Sequence, residues 1–369
     1  MTSAGTTGGE QWSGGLSDLS ASDRGSWAIQ SELLRRGTSV LRLPRAMVLG
    51  METQPRPELA FTGLVPPGNT TAGTSLIQHA SSVQALLKRR RVAVLSGEPL
   101  RTDDAARARR LAKSIGFPVV VRAANSSNTR LRRVVERAGD LPDALNVIQR
   151  RATHRSGSPE PKARTAWVQH LPEGRAYRVL VVGHRAVAAA EIAPGGPRPV
   201  SVDVSEVHPL VRSTAVDALE ALPGLESGEV EVILNGTGVS VLQVQSRSDV
   251  DRLRLSPVKS LDVASALVDH RFRTLSMQCL DVTGSWVLTC EGVVDREAFG
   301  DDLRRYAEHV HDERLRMDIT REGDATVVVH VGASAQLAAA LATGAVSGLP
   351  PHTRATQVLT RVCSSPWGA

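Results

Sequence analysis

Aromatic and cysteine residues are scarce in this chain of 369 residues, and both scarcities exclude classes of site. Aromatic residues make up 3% of the chain, too few for the stacking platform on which proteins hold single-stranded nucleic acid. The three cysteines form no C-x-x-C pair and no cysteine–histidine cluster with the spacing of zinc ligands. The sequence therefore predicts no zinc site, and so few cysteines favour a reducing compartment.

Long apolar runs are also missing. No run reaches the ~18 residues that a membrane-spanning helix needs. Residues 1–15 are rich in Gly, Ser and Thr and have neither a basic start nor an apolar stretch, so we expect no secretory signal. These features predict a cytoplasmic protein that makes no membrane contact.

Lysine is scarce as well, although the chain is basic. Lys and Arg together number 44 against 38 acidic residues, for a net charge of +6, yet only four of the 44 are lysines. Such a bias is typical of a GC-rich genome, so part of the positive charge reflects composition. Basic runs at 88–91 and 130–133 could bind polyanions, but solvated helix ends are the favoured interpretation. A nucleic-acid partner is therefore not expected.

What the chain does have is enough apolar sequence for a folded core. Hydrophobic residues make up 41%, which excludes disorder along the whole length, and the length predicts two or three domains. Helical and strand patterns mix in an α+β arrangement. The predicted divisions are a disordered tail at 1–25, an N-terminal α/β region at 26–80, a central domain at 81–275 and a last domain at 280–369.

The central domain shows clear start, stop and strand signals. Thr102 is predicted to cap a helix that ends at Gly116, and an apolar strand follows at 118–121. Strand signals at 166–169, 175–182 and 185–192 predict an antiparallel meander. A further hairpin is predicted across the turn at 235–238, and 249–275 is predicted to be helical. The last 90 or so residues follow the order β-α-β-β-α-β of ferredoxin-like folds.

Four stretches of the central domain resemble the ATP-grasp superfamily, especially its cyanophycin-synthetase-like and peptide-ligase members. The first, 105–121, follows the order of A-x-x-I-G-[FY]-P-V-V-V-K, and in the second, 168–192, Gly174, Tyr177 and Arg178 match G-x-x-Y-R. The third, 208–228, resembles A-L-x-x-x-P-G-L. The fourth, 231–245, resembles the hairpin with D-x-I and E-x-N. The resemblance covers about 175 residues and implies an ATP-grasp-like fold.

This resemblance implies ATP-binding positions and a reaction. Such ligases use ATP to phosphorylate a carboxylate, and an amine then attacks the acyl phosphate. Three positions would bind the nucleotide: Arg122, where the family has a lysine, Gln169 at the hinge, and Arg178. The segment 123–130 lacks the glycines of the family's phosphate-covering flap, and without them close backbone approach to phosphate is harder.

The resemblance also implies a Mg²⁺ site. Its matching positions are Glu231, Gln243 and Gln245, where the family supplies Asp, Glu and Asn. Because Mg²⁺ prefers anionic oxygens and one carboxylate is replaced by an amide, we expect weak binding of ATP and Mg²⁺.

The last domain resembles acylphosphatase. Gly292, Val294 and Phe299 fall on its motif G-R-V-Q-G-V-x-F, and 348–351 resembles its late G-P-P loop. Gly300 stands where the family has its catalytic arginine, and Ile319 or Thr320 falls near its catalytic asparagine. Arg296 lies nearby, outside the motif's register. The resemblance therefore implies an acylphosphatase-like fold without hydrolase activity.

Two functions from different classes follow. The first is a noncatalytic or weakly active ligase relative that acts as partner or scaffold in a pathway forming amide or peptide bonds, with an enzyme or a second copy as its partner. The second is an active ATP- and Mg-dependent ligase acting on small carboxylate and amine substrates.

Overall fold

The computed structural model describes residues 16–51, 55–123, 132–153, 165–171, 173–192, 199–236, 238–278, 282, 284–310, 315–323 and 325–363. In this part of the chain the helices are α1 (Ala21–Arg35), α2 (Thr71–Leu76), α3 (Ala80–Arg89), α4 (Ala105–Ile115), α5 (Leu141–Thr153), α6 (Pro209–Glu220), α7 (Pro257–Thr274), α8 (Arg296–Val310) and α9 (Ala335–Thr343).

The strands of the same residues form three sheets. They are β1 (Ser39–Leu43), β2 (Met47–Met51), β3 (Pro55–Thr62), β4 (Gly97–Arg101), β5 (Val119–Ala123), β6 (Arg132–Val135), β7 (Thr165–His170), β8 (Arg175–Val182), β9 (Arg185–Ile192), β10 (Val200–Val202), β11 (Ser227–Asn235), β12 (Gly238–Gln245), β13 (Ser285–Glu291), β14 (Arg316–Glu322), β15 (Thr326–Gly332) and β16 (Gln357–Cys363).

The chain divides into two compact units. Unit 1 combines Met1–Pro67, Asp249–Asp251 and Leu255–Ala369, and unit 2 combines Gly68–Ser248 and Arg252–Arg254. The architecture is mixed α/β with antiparallel sheets.

Unit 1 is built on a seven-stranded sheet in the order β14-β15-β13-β16-β1-β2-β3. Strands β13 to β16 with α8 and α9 follow the predicted order β-α-β-β-α-β, and β1 continues their sheet by pairing with β16. Trp27 on α1 and Trp286 on β13 are fully buried, and their indole N–H groups donate to the carbonyls of Gln336 and Ala333 at 2.9 and 3.0 Å. Helix α1 begins at Ala21, inside the predicted tail, of which 1–15 lie outside the described residues.

A buried ion-pair network joins α1 to α7 in unit 1. The Glu32 carboxylate accepts hydrogen bonds from Arg35 at 2.7 Å and from Arg36 at 2.9 Å, and Arg36 also pairs with Asp269 of α7. Burial raises the pKa of Glu32, but the hydrogen bonds and charges of the two arginines outweigh it, so the net pKa lies below the ordinary value of 4.5.

This network predicts an acid sensitivity of unit 1. Since the pKa of Glu32 is lower in the folded state, the unfolded chain binds the proton first as the pH falls below 4.5. The stability that the ion pairs contribute is then lost as the pH falls further through the folded-state pKa of Glu32. Urea unfolding across the acidic range should show a flatter pH dependence for Glu32→Gln than for the unmodified chain. Glu308→Gln, an exposed change on α8, is the control and should leave the dependence unaltered.

Unit 2 contains the other two sheets. Sheet β4-β7-β5-β6 packs its apolar residues against α4 and α5, and sheet β10-β9-β8-β11-β12 packs against α6. Strands β8 and β9 have the predicted bounds and pair antiparallel, and β11 and β12 form the predicted hairpin. The predicted three-strand meander is wrong, because β7 pairs with β4 and β5 in the other sheet. Consecutive strand signals do not establish a common sheet, since pairing depends on contacts that are distant in sequence.

Two predicted helix boundaries also need correction. The side chain of Asp104, not Thr102, caps α4, by accepting from the Arg107 N–H at 2.9 Å. The stop at Gly116 is confirmed, because this residue has a φ of +87°, which glycine adopts without strain. Helix α7 begins after its cap Ser256, so 249–256 is not helical.

Candidate functional site

Five polar residues share one face of the five-stranded sheet in unit 2. On β11, Glu229 and Glu231 are two residues apart, as are Gln243 and Gln245 on β12, so each pair projects to one side of its strand. The register places Glu231 opposite both Arg178 on β8 and Gln243, and it places Glu229 opposite Gln245. We call these five residues the polar cluster. The structure thus brings together four of the six residues predicted from the sequence.

Alternation along the strands explains why this face is polar. The intervening residues, among them Val179, Val230 and Val232, belong to the apolar core against which α6 lies. Their burial holds the strands in a single register, and that register sends the charged residues to the opposite face. The polar cluster is itself shielded from solvent, because Glu229 is 1% and Glu231 2% exposed.

The strongest interaction in the cluster involves Glu229, which the sequence analysis did not single out. Its carboxylate lies 3.0 and 3.2 Å from Nε of Arg252, and Nη2 of the same guanidinium makes the closest contact. Ser248 Oγ donates to it at 3.2 Å, and Arg178 Nε lies 3.6 Å away. Arg178 Nη1 also donates to the Arg252 carbonyl at 3.3 Å. The spacing of Glu229 from Glu231 on one strand is the signal that could have found it.

These residues do not fit a divalent metal ion. The charge of Glu229 is offset by those of Arg178 and Arg252, whereas Mg²⁺ prefers anionic oxygens. Gln245 Nε2 is buried and has no hydrogen-bond partner among the described residues. Within that same part of the chain, no group of three or more His, Cys, Asp and Glu side chains has a metal-binding arrangement.

The two other predicted site residues lie on the four-stranded sheet. Arg122 on β5 is opposite Trp167 on β7, and its guanidinium carbon lies 5.8 Å from the indole ring centroid, a cation–π distance. Gln169 on β7 is 1% exposed and faces Gly97 on β4, where a Cβ would lie 2.5 Å from the Gln169 Cβ. Most of the predicted glycine-free flap at 123–130 falls outside the described residues.

Of the three residues matching G-x-x-Y-R, Gly174 and Tyr177 contribute to packing, and Arg178 belongs to the polar cluster. Gly174 leaves no room for a side chain, because a Cβ there would lie 2.3 Å from the Leu234 carbonyl oxygen of the neighbouring strand. Tyr177 is buried in the core shared with α6 and lies opposite Val232, whereas Arg178 lies opposite Glu231 on the cluster face. Arg178 alone of the three therefore points to the candidate site.

The motif positions in the C-terminal part of unit 1 have structural partners. Phe299 is fully buried, and Gly300 beside it faces the Ile319 side chain at 3.8 Å from where a Cβ would stand. The Arg296 guanidinium donates to the Gly323 carbonyl in the turn after β14. The Arg296 guanidinium is thus engaged with a backbone oxygen.

Comparison with known proteins supports one class. Residues 80–160 match the family model of the ATP-binding domain of the carbamoyl-phosphate synthase L chain. This match confirms the resemblance to the ATP-grasp superfamily in that part of the chain. No curated protein is significantly similar to the chain.

Solved structures of ligases are similar to part of the chain at low identity. D-alanine–D-alanine ligase from Bacillus anthracis is 11% identical, with 56% of this chain and 71% of the ligase covered and a TM-score of 0.43. The enzyme from Coxiella burnetii is 16% identical, with 56% and 62% covered and a TM-score of 0.41. The ATP-grasp ligase PsnB, solved with a precursor peptide and AMPPNP, is 18% identical, with 55% and 61% covered and a TM-score of 0.40. The chain therefore spans about three fifths of the length of the latter two.

Among the residues that the structure describes, none of the helices combines the length and the hydropathy needed to cross a bilayer.

Proposed function

We propose that this chain is a degenerate ATP-grasp ligase-like protein, noncatalytic or weakly active, that serves as partner or scaffold in a pathway forming amide or peptide bonds. The observation that carries the proposal is the composition of the polar cluster. The Glu229 carboxylate is paired there with Arg178 and Arg252, and amides stand at Gln243 and Gln245. Carboxylates neutralised by arginines and amides in place of carboxylates attract a divalent ion weakly, and without that ion the charge of a triphosphate is poorly neutralised.

The proposal extends to the C-terminal part of the chain. We infer that 280–369 forms a ferredoxin-like, acylphosphatase-like domain without hydrolase activity. In support, its strands lie in the order β14-β15-β13-β16 with all neighbours antiparallel. The residue at the catalytic arginine position is Gly300, which cannot bind an acyl phosphate by its side chain. A scaffold partner would be a biosynthetic enzyme or a second copy of this chain.

The second candidate is an active ligase, and one observation favours it. Arg122 keeps a positive charge at the position where the resemblance implies a phosphate contact, and it is only partly buried. In an active enzyme, Arg122 and Arg178 would bind phosphate, Gln169 would contact the ribose, and the oxygens of Glu231, Gln243 and Gln245 would hold Mg²⁺. The arginine pairing of Glu229 speaks against this second candidate.

Calorimetric titration with Mg-ATP distinguishes the two candidates. For the scaffold we expect no binding heat at millimolar ATP and no ADP release with pooled amino acids. Submillimolar binding, with turnover lost in Glu231→Ala, would establish the ligase instead. Glu220→Ala serves as the matched control, because Glu220 is exposed on α6, which packs on the face of the sheet opposite to the polar cluster.

A further inference from the structure

We propose that two copies of this chain associate through β14, by antiparallel pairing of the two β14 strands across a two-fold axis at Ile319. The seven-stranded sheet of unit 1 would then continue from one copy into the other. This inference rests on the proposed function only in taking a second copy as the partner. It adds the surface and the strand register by which that copy binds.

Strand β14 forms one outer edge of the seven-stranded sheet. It pairs with β15 along its whole length, and among the described residues no other strand pairs with it. Five of its seven side chains are exposed, and those of Met317 and Ile319 are partly buried. In an antiparallel sheet, alternate residues of an edge strand direct their N–H and C=O groups away from the neighbouring strand. Strand β14 therefore presents backbone donors and acceptors to which a further strand can bind.

The opposite edge of the same sheet is protected against such pairing. Strand β3 carries Pro55 and Pro57, which have no backbone N–H to donate. A register shift between Leu49 and Met51 also interrupts the pairing of β2 with β3. Strand β14 contains no proline and keeps a regular register with β15. This contrast favours β14 as the edge that binds a partner.

Two-fold symmetry restricts how two β14 strands can pair. An axis perpendicular to the sheet keeps each side chain on its own face, so the pairing must be centred on a residue. Centred on Asp318, it sets two aspartates opposite each other, and centred on Thr320, it sets Asp318 opposite Glu322. Like charges directly opposite each other are destabilising. Centred on Ile319, the pairing opposes no like charges and includes all of β14, whereas centres nearer the strand ends leave most of it unpaired.

The register centred on Ile319 is complementary in charge. It sets Arg316 of each copy opposite Glu322 of the other copy, so an ion pair forms on each side of the axis. The two Ile319 side chains meet at the axis itself. Gly300 on α8 has no side chain to cover Ile319, since even a Cβ there would lie 3.8 Å from Ile319 Cδ1. A second copy of the chain is therefore the occupant that the residues of β14 favour.

Sedimentation equilibrium of the full chain without nucleotide tests the inference. We expect a reversible monomer–dimer equilibrium at micromolar concentrations. Arg316→Glu and Glu322→Arg should each raise the dissociation constant of the dimer at least about tenfold, because each replaces both ion pairs by like-charge contacts. Glu58→Arg, an exposed charge reversal on the opposite edge strand β3, is the matched control and should leave the constant unchanged. A monomeric unmodified chain overturns the inference, and so does a dimer that neither variant weakens.

Mixing the two charge variants tests the register itself. In a dimer of one Arg316→Glu chain with one Glu322→Arg chain, each contact between these positions again joins an acid to a base. The mixture should therefore associate about as tightly as the unmodified chain, although neither variant does so alone. Restored association also shows that both variants fold. A mixture of folded variants that associates no better than its components contradicts pairing centred on Ile319.

Hydrogen exchange of the unmodified chain gives an answer that is independent of any variant. Raising the protein concentration should slow amide exchange in 316–322 and leave exchange in β3 unaltered, because only β14 gains backbone partners. Exchange in 316–322 that does not respond to concentration overturns the inference even if a dimer forms. These measurements contain no nucleotide, so their failure differs from Mg-ATP binding with turnover, which would overturn the proposed function instead.

Discussion

Replacing Asp23 by asparagine is expected to lower the free energy of unfolding by about 3–5 kcal/mol, the range found when one partner of a buried ion pair is removed. Asp23 Oδ1 lies 2.6 Å from Nη2 of Arg42, whose side chain is 0% exposed on β1. Burial lowers the pKa of Arg42 to about 10, and the Asp23 charge only partly opposes that shift. Without the carboxylate, the fully buried Arg42 side chain would lose this ion pair.

The site leaves Arg42 few ways to compensate. Its Nε and Nη1 are buried and have no hydrogen-bond partner among the described residues, and the same holds for the nearby Tyr306 hydroxyl. Urea unfolding followed by tryptophan fluorescence measures the effect, because Trp27 and Trp286 lie in this unit. Asp18→Asn is the control, since Asp18 pairs with His309 at the surface and should change stability little. A decrease of less than about 1 kcal/mol in the free energy of unfolding for Asp23→Asn would show that the ion pair contributes little to stability.

Replacing Glu229 by glutamine is the second change with a large expected effect, again about 3–5 kcal/mol. The substitution keeps the shape of the side chain and removes the charge that neutralises Arg252 and Arg178, whose side chains are 21% and 15% exposed. Arg178 also donates to the Arg252 carbonyl at 3.3 Å, so this cation stays on the sheet face after Glu229 loses its charge.

A double-mutant cycle shows whether the loss comes from the unpaired arginine. Arg252→Gln/Glu229→Gln should be less destabilised than the sum of the two single changes, because the double variant leaves one cation fewer in the cluster. Glu220→Gln, which breaks an exposed contact with His184, is expected to have little effect. Additive losses in the cycle would mean that Glu229 stabilises unit 2 by a route other than Arg252.

Several elements were predictable because their signals are local. The bounds of β8 and β9 follow from the alternation of apolar residues and the short turn between them. The end of α4 at Gly116 follows from a conformation that glycine adopts without strain. The clustering of Glu231, Gln243 and Gln245 also followed from the sequence, because a hairpin brings residues of adjacent strands together at short range.

Other features depend on contacts between distant parts of the chain, and the sequence did not reveal them. Strand β7 directly precedes β8 but pairs with β4 and β5, because the pairing depends on which edges are available after packing. Asp104 rather than Thr102 caps α4, because the Asp104 carboxylate accepts from the Arg107 N–H at 2.9 Å. Strand β1 lies near the start of the sequence and β16 near its end, yet the two strands pair.

By itself the sequence determined the mixed α/β class, the shortage of carboxylates at the expected metal positions and the resemblance to ATP-grasp proteins, because composition, periodicity and motif order are properties of neighbouring residues. Only the tertiary structure decided that the Arg252 guanidinium forms an ion pair with the Glu229 carboxylate. That contact joins a strand to a segment beyond the hairpin, and its electrostatic effect depends on burial, which a sequence does not display.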